Sequence, residues 1–199
     1  GRVDNTRAAM AAAEAETLAA MERGAKLIYQ ATFFDGTFLG RTDFLRRVER
    51  PSARWAWSYE VVDTKLALSP KAYFLLQLCN YSEHLARLQG TAPRAGHLVL
   101  GSGLEAAFRI DEYAAFYRQQ KKTFLARAAQ PAEAYPEETA HCGICRWAEA
   151  CEARREADDY LGLVAWMRRG QIDKLAGEGL TTIPALAAAR EDQRPFGMT

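Results

Sequence analysis

The chain predicts an α/β domain built on a mixed β-sheet and followed by a helical tail, and three observations carry that expectation. The residue patterns run helix, three strands, helix, two strands, helix, an order that lets strands and helices share one core. An Asp35-Gly36 pair separates two β-branched and aromatic runs, a strong short-range hairpin signal. With 199 residues, 49% hydrophobic and 26% charged, the chain is long enough for one such core and a small appendage.

The elements follow in order. Asn5 to Arg23 is Ala-rich with interspersed glutamates and reads as a helix ended by Gly24. Leu27 to Phe34 and Thr37 to Leu45 are the two arms of the hairpin. A polar stretch over Arg46 to Arg54 leads to a third strand, Trp57 to Leu66. Pro70 opens a helix that runs to about Gln89 and stops at Gly90. Gly96 to Leu100 and Glu105 to Ile110 are two more strands joined by a Gly-Ser-Gly turn, and Asp111 reads as the cap of a helix reaching Ala128. Residues 130–139 are a Pro- and Glu-rich loop, so the chain divides into a core, 1–130, and a tail, 131–199, that is helical from Trp147 to about Ala188.

Several classes are excluded early. No run approaches the ~20 apolar residues of a membrane span, and the first thirty residues lack a signal-peptide layout, which points to the cytoplasm. Twenty-six basic and twenty-five acidic residues give a net charge of +1, so any nucleic-acid contact must come from local placement.

The third predicted strand carries Val61-Val62-Asp63-Thr64-Lys65-Leu66. Positions two apart share a face, so Asp63 and Lys65 project together beside Val61, while Glu60 points to the other face. A carboxylate and an ammonium near a core cost several kcal/mol unless paired or metal-bound. If Asp43 lies on the neighbouring strand, two carboxylates and a lysine converge, which is the equipment for hydrolysing a phosphodiester with Mg²⁺ or Mn²⁺. The plain alternative is an Asp63/Lys65 pair exposed at a sheet edge with Asp43 in solvent. Gln77 and Tyr81, at i and i+4 on the second helix, read equally as boundary residues of an amphipathic helix.

Gly40-Arg-Thr-Asp43-Phe-Leu, Tyr59-Glu-Val-Val-Asp63-Thr-Lys65-Leu-Ala and Gln77-Leu-Cys-Asn-Tyr81-Ser resemble the motifs of the RecB-like branch of the PD-(D/E)xK nuclease superfamily. The resemblance spans about Ala25 to Ala129 and extends to Cys151; it is most like large bacterial RecB-like nucleases with a helical tail after their cysteines. It implies a restriction-endonuclease-like fold, metal ligation by Asp43 and Asp63, Lys65 as catalytic lysine, and Gln77 and Tyr81 touching DNA or bracing the site. It also implies a DNA substrate, single-stranded or with ends, and helicase or further nuclease domains in the same or a partner chain. The branch has an early helical motif whose histidine or acidic residue completes the metal shell. No such histidine stands here; Glu14 and Glu16 are the candidates, although an Ala/Glu helix normally shows its glutamates to water.

Cys142, Cys145 and Cys151 form a C-x2-C-x5-C cluster, a spacing suited to a metal or one corner of a cluster. The resemblance implies a [4Fe–4S] cluster whose fourth cysteine lies before the core. None precedes Cys79, which reads as a buried free thiol, so the expectation is a chain cut from a longer protein. Zn²⁺ held by the three thiolates with His141 or another group, and a metal-free knuckle, stay open. Gln171 to Leu186 reads as helix, glycine turn at Gly179, helix: either a helix-hairpin-helix element binding phosphate through its turn or an ordinary αα-hairpin. Arg168, Arg169 and Lys174 flank it, and Arg118, Lys121, Lys122 and Arg127 form a basic set that reads also as a solvated face. The functional expectation is a metal-dependent deoxyribonuclease domain. The alternatives are an inactive nuclease-fold module that binds or scaffolds nucleic acid, and a small zinc-binding interaction domain in the tail.

Overall fold

The computed structural model describes residues 6–130 and 135–190. Asn5 and residues 131–134 of the expected loop lie outside them. Two compact units divide the chain, Gly1–Ala126 and Arg127–Thr199.

In the first unit α1 (Arg7–Glu22) is capped by Thr6, whose hydroxyl accepts the Ala9 N–H, and ends where Gly24 takes a left-handed φ of 68°. Five strands follow: β1 (Leu27–Phe34), β2 (Leu39–Val48), β3 (Ser58–Lys65), β4 (Ala95–Leu100) and β5 (Glu105–Arg109). They lie side by side in chain order, antiparallel except for the parallel β3–β4 pair. A parallel neighbour needs a long crossover, and α2 (Ala72–Gln89) supplies it. The sheet is therefore mixed, as the sequence predicts. Its hairpin loop is longer than the Asp-Gly pair alone: Asp35 Oδ1 accepts the N–H groups of Thr37 and Phe38 at 2.8 and 2.7 Å, and Gly36 supplies a φ of 90°.

Three of the boundaries that differ from the sequence reading have a clear physical reason. β2 runs through Arg46 and Arg47 to Val48, because Arg47 and Val48 still pair with Tyr59 and Ser58. α2 starts at Ala72, with Pro70 outside it, since the residue before the helix, Lys71, is extended. α3 (Ile110–Ala128) begins one residue before Asp111, which sits in the first turn and pairs with Arg109.

The core lies between one face of the sheet and α1 and α2. Met21, Phe33, Leu45, Tyr59, Val61, Leu78, Leu85 and Leu98 are all fully buried there. Tyr59 ties the layers by donating its hydroxyl to Ala25 O at 2.7 Å. The other face carries polar groups: Glu60 on β3 meets His97 on β4 at 3.0 Å, and Arg46 on β2 pairs with Glu105 on β5 at 2.7 Å.

The second unit resolves the stretch predicted to be helical into short helices. It is built from α4 (Ala148–Ala157), α5 (Arg169–Gly177) and α6 (Ile183–Ala188), with single 3₁₀ turns at Cys142–Ile144 and Leu161–Leu163. Asp159 and Trp166 take positive φ values of 47° and 65°, which no helix accommodates. The α5–α6 hairpin turns at Gly179, φ 81°, and its Leu175 and Leu180 pack with Leu161 and Ile172 into a separate small core.

Candidate active site

Pairing of β2 with β3 runs from Val48↔Ser58 to Phe44↔Val62 and stops there. The next residues in that register are Asp43 and Asp63. Asp63 is 3% exposed on the central strand of the sheet, which overturns the reading of an exposed edge pair. Lys65, two residues on, forms an ion pair with Asp63 Oδ2, the parity that the strand periodicity predicts.

From Lys65 the contacts pass to the crossover helix. Its Nζ donates to Gln77 Oε1 at 2.7 Å, Gln77 Nε2 donates to the Tyr81 hydroxyl at 2.8 Å, and that hydroxyl donates to Arg41 O at 2.9 Å. Gln77 and Tyr81 thus share a helix face turned to the strand ends, and the chain returns to β2 two residues before Asp43. Gly40 makes the last step possible: a Cβ there would lie 2.7 Å from the Tyr81 ring.

Asp43 is held differently. Its Oδ2 accepts the Thr64 N–H at 2.7 Å and the Thr64 hydroxyl at 2.5 Å, taking over from the backbone ladder where β2 and β3 part. Its Oδ1 accepts Gln30 Nε2 at 3.2 Å. Gln30 has a left-handed φ of 51° and is skipped in the β1–β2 pairing between Tyr29↔Phe44 and Ala31↔Thr42. Such a conformation costs a non-glycine residue about 1 kcal/mol or more and clusters at functional sites. It also shifts the strand's alternation, so Ile28 packs on the core before it and Ala31 and Phe33 after it. Gln30 and Thr64 carry no sequence signal for this role; only the halted ladder reveals them.

Burial pushes the Asp63 carboxyl up, the Lys65 partner pulls it down, and the Asp43 charge adds to the rise. Burial likewise raises the Tyr81 hydroxyl, with both carboxylates contributing. Asp63 Oδ2 is buried without a hydrogen bond, its ion pair with Lys65 aside. A buried carboxylate whose ionisation the neighbouring Asp43 charge disfavours, with one oxygen short of hydrogen bonds, suits a hard cation. Mg²⁺ needs only one or two carboxylates, taking its other oxygens from water and substrate phosphate. Among the described residues no group of three or more His, Cys, Asp or Glu side chains converges to hold a metal.

Neither early glutamate joins this pair. Glu14 accepts the Phe34 N–H at 2.8 Å and pairs with Arg87, so it faces the protein rather than water, and Glu16 is exposed. Glu60 lies on the opposite face with His97, as its parity predicts.

In the second unit Cys142 and Cys145 bracket one 3₁₀ turn, and Cys151 lies on α4; all three are free and half-buried. The Thr139 N–H donates to Cys142 Sγ at 3.3 Å, and this bond with the Thr139 hydroxyl contact holds the Cys142 thiol below its usual range. The cysteines supply soft donors without closing a cage among the described residues. Cys79 is buried in the first core, with its thiol pushed up by burial. Of the basic set on α3, Lys121 is spent on Glu83 at 2.6 Å. No helix among the described residues is long and apolar enough to cross a membrane.

No protein-family model matches this chain, and no curated protein matches it.

Proposed function

We propose that the chain is a RecB-like nuclease domain that hydrolyses DNA phosphodiesters with Mg²⁺ or Mn²⁺, on single strands or ends, in the cytoplasm. The observation that carries the reading is the contiguous set Asp63, Lys65, Gln77 and Tyr81, with Asp43 beside it, at the end of β3 where the ladder to β2 stops. Asp43 and Asp63 would hold the cation, which supplies Lewis acidity toward the phosphate and a lowered pKa for its water. Lys65 balances the buried Asp63 charge and stands where an ammonium can meet charge developing on the phosphate. Gln77 fixes the Lys65 head group by accepting a hydrogen bond from its ammonium, and Tyr81 fixes Gln77 by accepting one from its amide. Thr64 and Gln30 aim Asp43.

Cleavage of linear single-stranded and duplex DNA by the purified chain in Mg²⁺ or Mn²⁺ tests this. Asp63→Ala and Lys65→Ala should each lower the rate at least ~100-fold, the scale of losing one charge-stabilising group in an active site. Equal cleavage by the parent and both variants sinks the assignment.

One observation favours a second reading, an inactive nuclease-fold module that binds nucleic acid: no third acidic or histidine side chain joins Asp43 and Asp63 among the described residues. That module would bind DNA with a steep dependence on salt and cleave it in no divalent metal. For the second unit the reading is a structural [4Fe–4S] cluster or Zn²⁺ at Cys142, Cys145 and Cys151, supported by the spacing and by the Thr139 donors on Cys142. A partner helicase or nuclease domain belongs to the same proposal.

A further inference from the structure

One notch beside the candidate site is unused by that chemistry. It lies between the β1–β2 loop, α2 and α3, and encloses about 180 Å³. Phe38, Leu76, Tyr117 and Phe124 form its apolar walls. The Phe38 and Phe124 rings stand 6.2 Å apart, and Phe124 is 60% exposed. Asn80, Gln120 and Lys121 give it a polar edge.

Size, chemistry and place narrow the occupant. The volume is below the ~300 Å³ of ordinary small-molecule pockets, so it admits one flat ring rather than a helix or a long side chain. Lys121, itself a lining residue, sits 4.8 Å over the Phe38 ring, which puts a cation–π contact at the notch. Asn80 spends its amide N–H on the Tyr117 hydroxyl at 2.9 Å, leaving its carbonyl oxygen as an acceptor, and the exposed Gln120 amide forms no hydrogen bond among the described residues. Arg118 and Lys122, one turn apart on α3, are exposed and make no ion pair there, although Lys121 between them is paired. Aromatic walls, two amides able to reach a base edge and two uncommitted cations for phosphates describe a base with its backbone. Leu76 and Asn80 precede Gln77 and Tyr81 by one residue each, so notch and candidate site share the helix.

We infer that the notch is a nucleobase subsite: one unstacked base of a single-stranded polynucleotide stacks on the exposed face of Phe124, whose ring packs against Phe38, while Arg118 and Lys122 carry neighbouring phosphates. The inference rests on the nuclease reading for its substrate class, and it adds which residues select a single strand. Bases of an intact duplex are stacked on their neighbours and cannot enter.

Fluorescence anisotropy of the full chain carrying Asp63→Asn, with a short labelled single-stranded oligodeoxynucleotide, measures this binding on uncut DNA. Phe124→Ala should weaken binding about tenfold, in line with one lost stacking contact, and Phe38→Ala comparably. Against an abasic oligonucleotide the parent should lose the same factor and Phe124→Ala nothing more. Arg118→Glu with Lys122→Glu should weaken both oligonucleotides and flatten the salt dependence. A ribo-oligonucleotide of the same sequence separates RNA from DNA as the source of the base. Phe124→Ala binding within twofold of the parent, duplex binding as tight as single-strand binding, or no oligonucleotide binding at all overturns the subsite. The nuclease reading fails separately, if Asp63→Ala and Lys65→Ala cut as the parent does.

Discussion

The two units reach order by different means. In the first, a five-stranded sheet buries an aromatic and aliphatic core that includes Phe33, Tyr59, Phe74 and Tyr117, enough apolar surface to hold titratable residues such as Asp63 and His84 inside. In the second, the buried hydrophobic cluster among the described residues is Leu161, Ile172, Leu175 and Leu180. Cores of that size seldom suffice without a staple such as a metal or disulfide. The comparison teaches what each core can carry: the first holds a strained residue, Gln30, and a buried carboxylate, Asp63, whereas the second leaves three half-buried cysteines free.

The largest test of that contrast is loss of the proposed metal. Cys142→Ser with Cys145→Ser should remove the second unit's unfolding transition in calorimetry while the first unit's stays within a degree or two. An unchanged second transition would show that the four leucine and isoleucine side chains suffice. Next in size is a matched pair of truncations. Leu78→Ala, at a fully buried position, should cost the first unit ~2–5 kcal/mol in urea unfolding, and Leu175→Ala should fall at the low end of that range because a thin core can collapse around the gap.

A smaller effect separates the units by pH. His84 is buried against Phe33, rings stacked at 5.8 Å, and burial holds its pKa below the ordinary 6.5. Its contribution is therefore fully present above 6.5 and lost as pH falls below it, since the unfolded chain takes the proton first. Thermal melts of the first unit should decline below that pH, and His84→Gln should flatten the decline. The smallest effect is expected from Thr182→Ala, which removes the hydroxyl that accepts the Ala185 N–H at the start of α6 and should cost the second unit ~1 kcal/mol.

Much of the first unit was legible in the sequence, and the reason is periodicity. β1 and the ends of α2 and α3 fall where a β-branched and aromatic run, Gly90 and the helical pattern put them, and Asp63 with Lys65 could be placed on one face by parity alone. The link from Lys65 through Gln77 to Tyr81 could not, because it depends on how a crossover helix lies against strand ends. Gln30 was illegible for another reason: nothing in Tyr-Gln-Ala announces a left-handed residue inside a strand. In the second unit the turn at Gly179 was legible from the glycine, but the breaks at Asp159 and Trp166 were not, because neither residue type announces a positive φ.

Gly40 turns the fit between hairpin and helix into a set screw. One methyl group at that position, on a backbone that alanine can adopt, would meet the Tyr81 ring at 2.7 Å and push the phenol off the Gln77 amide. No charge would change, and Asp43 and Asp63 would keep their places on their strands. The site can therefore be detuned by steric pressure alone, which makes the smallest side chain near it the finest adjustment the molecule offers to anyone redesigning it.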